Sequence, residues 1–226
     1  MEQMYELEFN DSEIGTILNS LDFYSRIWIV QYEHILYKIR WEKNCRQLDR
    51  IEAILQQKLW GLRCIVLPEL RGYHISASFG IFSPKRNVKA AIAYDMQQEF
   101  RYRRAWYLNP KGDYTVDFGT PLPCKDDPCE FPKAECYDAD GEFRIRVYIA
   151  KTQLMVICDA LNIMRLLYLC QIEKLYEYYT DSIEALNIAK EITEMLKSVE
   201  TDKPFNIELY SELSRRLIAT AENGSR

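Results

Sequence analysis

Seven basic residues crowd the stretch from 83 to 111, namely Lys85, Arg86, Lys89, Arg101, Arg103, Arg104 and Lys111, against only Asp95 and Glu99. Tyr102, Trp106 and Tyr107 are interleaved with the last of them. Guanidinium groups grip phosphate or carboxylate through paired N–H donors, and neighbouring rings offer faces on which bases stack. The segment therefore reads as a binding surface for phosphate or an acidic partner, built from Lys85, Arg86, Lys89, Arg101, Arg103, Arg104, Trp106 and Tyr107. The competing structural account is a helix whose terminal arginines complement its dipole and whose rings join the core.

Cys124, Cys129 and Cys136 lie amid Asp126, Asp127, Glu130 and Glu135, and thiolates with carboxylates are competent zinc ligands. Structural zinc sites use tight two-residue spacings, whereas four and then six residues intervene here and no histidine is near. The spacing favours an acidic loop with free thiols, and no cofactor is expected. Asp138-Ala139-Asp140-Gly141-Glu142 opens like a calcium loop, but Phe143 stands at the sixth position, where such a loop needs glycine. A turn into the following strand is expected instead.

The two histidines, His34 and His74, are far apart in sequence, and the chain has no phosphate loop, GxGxxG, GxSxG or HExxH. These absences incline the reading away from an enzyme. Residues 113–142 hold nine acids against two bases and residues 173–213 ten against four, so two acidic zones flank the basic one. Such segregated charge suits docking on a partner, although most acidic runs are simply solvated.

The elements that position these residues show an internal match. Residues 7–36 align with 147–176 at a constant offset of 140, with Ile17/Ile157, Leu21/Leu161, Gln31/Gln171 and Glu33/Glu173 identical. Each copy opens with a period-two strand, Tyr5, Leu7 and Phe9 in one and Ile145, Val147 and Ile149 in the other, and each runs into an amphipathic helix. Ser12 and Thr152 are the expected helix caps. If the strands pair, Glu6 and Glu8 face Arg144 and Arg146, a favourable cross-strand arrangement.

Between the copies, Leu48, Ile51, Leu55 and Leu59 predict a helix from Cys45 that stops at Gly61. Tyr73, Ile75, Ala77 and Phe79 alternate like a short strand, and Ser83-Pro84 reads as the start of a helix running to Leu108. After the second copy, Asp181 to Glu184 predicts the cap of a helix ending near Lys197, and a last helix carries Ile207, Tyr210, Leu213 and Leu217.

The expected fold class is mainly α with a small β component, two related strand-helix modules in a pseudo-two-fold arrangement. The expected units are 1–112, a first module with the basic helix; 113–141, an acidic linker with four of eight prolines, where only Tyr114 to Phe118 resembles a strand; 142–221, a second module; and a disordered tail, 222–226.

The formal charge of −5 and a pI near 5.3 argue against a surface that is wholly a nucleic-acid footprint. Leu154 to Cys170, broken by Asp159, Asn162 and Arg165, is shorter than the roughly 20 apolar residues of a membrane span and reads as a core helix. The N-terminus lacks the pattern of a secretory signal, and seven cysteines, an odd number, read as reduced thiols. A cytoplasmic protein without a membrane partner is expected.

Leu21-Asp22-Phe23-Tyr24-Ser25-Arg26-Ile27 followed by Gln31-Tyr32-Glu33 resembles a helix motif, LDLYSRI followed by GQFEEI, of small bacterial and phage-borne proteins of unknown function. Val30 stands where that motif has glycine. The resemblance implies a bacterial or mobile-element origin and no particular activity.

The function expected from these features is a non-enzymatic interaction protein, an accessory or inhibitor of the anti-defence type that docks on a protein partner. The alternative is a nucleotide or nucleic-acid binder using residues 83–107, with a metal-assisted hydrolase as its enzymatic version. Self-association is compatible with both.

Overall fold

In β1, Met4–Asn10, the alternation of Tyr5, Leu7 and Phe9 puts Tyr5 and Phe9 in the core. The computed structural model describes residues 3–40, 43, 45–74, 77–111, 120–124, 129–177, 180–200 and 206–223. Within them β1 is followed by α1 (Asp11–Trp28), α2 (Glu33–Arg40), α3 (Cys45–Val66), a 3-10 turn (Pro68–Leu70) and α4 (Val88–Leu108). Then come β2 (Lys133–Ala139), β3 (Glu142–Ala150), α5 (Lys151–Tyr168), α6 (Ile172–Tyr176), α7 (Ile183–Lys197) and α8 (Ile207–Asn223). The fold is mainly helical, with one antiparallel sheet in the order β1-β3-β2.

β1 pairs with β3 so that Leu7 faces Val147 and Glu8 faces Arg146. The expected charge pairing is present: Arg146 lies 3.1 Å from Glu6 and 3.7 Å from Glu8, while Arg144 turns to Glu142 at 2.9 Å. β2 and β3 are joined by a two-residue turn in which Asp140 (φ 54°) and Gly141 (φ 82°) are both left-handed, the geometry that matches strand twist in tight hairpins.

α1 and α5 begin and end at positions 140 residues apart. Their N-termini are not capped by Ser12 and Thr152. Asn10 accepts from the Glu13 N–H at 2.9 Å and the Glu13 carboxylate accepts from the Asn10 N–H at 2.9 Å, a reciprocal box that places the cap two residues before Ser12. Ala150 has no oxygen to offer, so only half the box forms at α5: the Gln153 side chain accepts from the Ala150 N–H at 2.8 Å.

Both helices end alike. The N–H of Val30 meets Ile27 O at 3.0 Å and that of Gln31 meets Arg26 O at 2.9 Å; Cys170 and Gln171 repeat this with Leu167 O and Leu166 O, each at 2.9 Å. Closing a helix this way needs a left-handed residue after the cap, and Val30 (φ 71°) and Cys170 (φ 52°) adopt that conformation without being glycine.

α1 packs on α5, with α4 beside α1 and α8 beside α5; α3 packs on α7, α2 on α3 and α6 on α7. Ile14, Ile17, Leu21, Ile157, Leu161 and Leu167 fill the centre. Leu154 to Cys170 is a core segment as expected, and among the described residues no helix is long and apolar enough to cross a membrane.

Several local expectations are corrected. α3 runs through Gly61 to Val66, because its buried positions Leu62 and Cys64 continue the apolar face. The described residues between Tyr73 and Phe79 form no strand; Arg63 takes up their carbonyls instead. α4 starts at Val88 because Asn87 caps it, accepting from the Lys89 N–H at 2.9 Å, while Ser83 and Pro84 form a turn before it. The stretch expected as a linker contributes β2, and Glu222 is still helical in α8. Tyr114 to Phe118 and residues 224–226 lie outside the described residues.

Candidate functional site

Asp22, Ser25, Arg26 and Ile29 recur at steps of three and four along α1, as do Tyr94, Gln97, Gln98 and Arg101 along α4. Such spacing puts each set on one helix face. Because α1 and α4 pack together, the two stripes line one cleft of about 240 Å³, closed on a third side by Gly80 and Ile81 and at the end of α1 by Gln31. Gly80 has a φ of 71°, so a side chain there would strain the segment that covers the cleft.

Arg26 is held by three neighbours. Its Nε donates to Asp22 at 2.9 Å, and its Nη1 donates to Gln31 Oε1 at 3.0 Å and lies 3.1 Å from His34 Nε2. Burial, reinforced by the Arg26 guanidinium, pushes the His34 imidazole down to about 4. At neutral pH the ring is uncharged, and Nε2 accepts from Arg26. Gln31 in turn donates to the Ser78 hydroxyl at 3.4 Å, which ties the end of α1 to the covering segment. Arg26 Nη2 makes no hydrogen bond within the described residues.

Arg101 enters from α4 and makes one long bond, 3.3 Å to Gln98 Oε1. A guanidinium has five N–H donors, so within the described residues most of those on Arg101 and two on Arg26, both of which line the cleft, are without a partner. Two arginines against Asp22 leave the cleft net positive on a chain that is net acidic. Behind Asp22 a second, more open hollow of about 630 Å³ is bounded by Asn19, His34, Tyr37, Lys38 and Tyr168.

Of the basic segment singled out by sequence, Arg101 lines this cleft and the others are placed elsewhere. Arg103 pairs with Glu99 at 2.7 Å and lies over the Tyr102 ring. Arg104 clasps Asp11 with two bonds of 2.7 and 2.9 Å, and Lys89 sits 3.3 Å from Asp159 and above the Trp28 ring. Arg86 donates to Ser83 O at 3.0 Å, Lys85 is exposed, Trp106 packs edge-on against Tyr102 and Tyr107 against Phe143. Arg103 and Arg104 point about 100° apart on the helix, and Arg104, one turn beyond Arg101, is taken up by Asp11, so the three do not share a patch.

Cys124 is buried, its N–H donating to Asp95 at 2.8 Å and its thiol lying 3.9 Å from Ile81 O. Cys129 is half-buried, and burial pushes the Cys136 thiol on β2 up to about 11, which disfavours the thiolate a metal needs. Among the described residues no three metal-competent side chains come together.

The paired stripes were present in the sequence, but recognising them required knowing that α1 and α4 are neighbours. Compared with protein-family models, curated proteins and solved structures, the chain matches none.

Proposed function

We propose that this chain is a non-enzymatic recognition protein that holds the phosphate of a nucleotide-like ligand between α1 and α4, with Arg26 and Arg101 as its binding residues. The observation that carries the proposal is the convergence of two arginines with open donors from facing helices. Asp22 and His34 are both engaged in holding Arg26, which inclines the site toward binding rather than turnover.

The test is titration of the untagged protein with ADP by calorimetry at low and high salt. Binding should weaken with salt, as for any charge-driven contact, and Arg26→Ala or Arg101→Ala should each weaken it about tenfold or more, the worth of a charge-assisted contact. Unchanged affinity in both variants would rule the cleft out.

A protein-docking role, as an accessory or inhibitor encoded on a mobile element and acting in the cytoplasm, is favoured by a different observation. Trp60 and Tyr73 expose 39% and 61% of their surface, and the Trp60 Nε1 donates to Tyr73 O at 3.2 Å, so an exposed indole is pinned to the backbone that carries an exposed tyrosine. Aromatic anchors of this kind dominate protein interfaces. Capture of a stoichiometric protein partner that is lost on W60A/Y73A substitution would support this role over the nucleotide one.

We also propose that the chain is a duplicated β-α-α-α-α unit with a pseudo-two-fold relation, β1 to α4 corresponding to β3 to α8. Its support is the offset of 140 shared by β1 with β3 and by the bounds of α1 and α5, the repeated helix ends, and the like packing of α1 on α4 and α5 on α8. A sequence homologous to one half and folding as a symmetric dimer would establish it.

A further inference from the structure

We infer that the groove between α5 and α8 is a second anion site, the counterpart of the α1/α4 cleft; this rests on the proposed duplication and on the anion role given to that cleft. The offset of 140 carries Asp22 onto Asn162 and Ser25 onto Arg165, and both of these residues line the α5/α8 groove, which encloses about 460 Å³. On α8 the lining residues Ser211, Ser214 and Arg215 repeat the three- and four-residue steps of Tyr94, Gln97 and Gln98 on α4.

The chemistry corresponds although the arginine positions are shifted: the offset of 140 carries Arg26 onto Leu166, and Arg165 stands one place earlier, at the register of Ser25. Each cleft takes one arginine from its inner helix, Arg26 or Arg165, and one from its outer helix, Arg101 or Arg215. In each, the inner arginine is held by the side chain of the preceding turn: Arg26 by Asp22 at 2.9 Å and Arg165 by Asn162 at 3.1 Å. Arg215 has no ion pair or hydrogen bond among the described residues, and the remaining Arg165 donors are open. Replacing the carboxylate of Asp22 by the amide of Asn162 removes a negative charge from the floor. Glu222 returns one at the rim, so each cleft carries two guanidinium groups against one carboxylate.

The ligand class is a phosphate-bearing anion, and Ser214 adds a hydroxyl donor suited to its oxygens, while the Ser211 hydroxyl donates to Ile207 O at 3.1 Å. With one such site on α1/α4 and another on α5/α8, flanking the α1–α5 contact, the protein is arranged to hold two phosphates at once.

Inorganic pyrophosphate titrated into the full chain, followed by the arginine side-chain N–H signals in NMR, tests this directly. The expected result is saturable shifts at Arg165 and Arg215 as well as at Arg26 and Arg101, with exposed Arg46 and Arg50 unmoved. R165Q/R215Q should weaken the second site about tenfold or more, read at the Ser211 and Ser214 amides, and leave the Arg26 and Arg101 shifts intact. Arg215→Gln alone, at an exposed position, serves if the double variant is unstable. Static Arg165 and Arg215 signals, equal shifts at Arg46 and Arg50, or unchanged Ser211 and Ser214 titrations in the variant would overturn the second site. Movement at Arg165 and Arg215 with Arg26 and Arg101 static would instead overturn the role of the α1/α4 cleft and leave this groove as the anion site.

Discussion

Arg26 donates to Gln31 at 3.0 Å across the turn that ends α1, and the residue making that turn, Val30, has a φ of 71°. A β-branched residue in the left-handed region is strained, and such strain collects where side chains must be held in one arrangement. Here it brings Gln31 back over the helix end, where it links Arg26 to Ser78. Glycine at this place would adopt the conformation the turn requires without that strain.

Substitution of Val30 should reverse the usual order of alanine and glycine. Val30 is buried, so both Val30→Ala and Val30→Gly lose apolar contact and both are destabilising. Alanine keeps the unfavourable φ and glycine does not, so the glycine variant should be the more stable of the two by about 1 kcal/mol. Urea midpoints of the two variants measure the difference; an alanine variant more stable than the glycine one would mean that the turn is not left-handed.

Gln31→Ala should separate ligand affinity from stability. The side chain is half-exposed and joins Arg26 to the covering segment, so its loss should change global stability by no more than about 0.5 kcal/mol. ADP affinity should fall about threefold, less than for Arg26→Ala, because Arg26 keeps Asp22 and His34 but loses one restraint on its orientation. Calorimetry of both variants beside wild type reads this; equal loss in the two would mean that Gln31 contacts the ligand itself.

Arg63 is fully buried and donates to four backbone carbonyls, those of His74 at 2.6 Å, Tyr73 at 2.7 Å, Ala77 at 3.0 Å and Leu70 at 3.4 Å. Arg63→Met fills most of the volume but leaves Ala77 O without a donor among the described residues and takes one of two donors from each of Leu70 O, Tyr73 O and His74 O, at a cost of about 2–4 kcal/mol. Arg63→Lys should recover only part of it, since one ammonium cannot span the fork. The segment from 67 to 87 should become the first site of proteolytic cleavage in both variants. Cleavage elsewhere would show that Arg63 does not organise that segment.

The sequence carries the periodic parts of this molecule well and the tertiary parts poorly. β1, β3, α1, α5, α7 and α8 follow from alternation and three-to-four spacing, and the Glu6 and Glu8 to Arg146 pairing follows once the strands are placed together. Glycine's weak helix propensity predicts that α3 stops at Gly61, and the packed face of Leu62 and Cys64 outweighs it. β2 is not legible in the sequence, because its alternation is masked by Glu135, Tyr137 and Asp138 beside prolines and thiols. The site was half legible: Arg101 was singled out and Arg26 lay in the recognised motif, but charge density along one helix pointed to Arg103 and Arg104, which are engaged by Glu99 and Asp11.

His34 should make stability fall in mild acid. Burial and the facing Arg26 hold its folded value at about 4, with Lys38 acting in the same sense and Asp22 opposing, against about 6.5 in an unfolded chain. Between these values the unfolded state binds the proton and the folded state does not. The stability present above pH of about 6.5 is therefore lost as pH falls toward about 4. Glu33, whose carboxyl is raised chiefly by burial, works in the opposite sense over the lower part of that range, so the His34 contribution is isolated by comparison with His34→Gln. Wild type should lose more stability than the variant between pH 7.5 and 4.5, and the His34 ring signal should titrate near 4 in NMR. Pyrophosphate bound beside Arg26 offsets the guanidinium charge and should move that midpoint upward. A midpoint near 6.5 in the free protein would place His34 away from Arg26 and remove one of the three restraints on the arginine at the centre of the cleft.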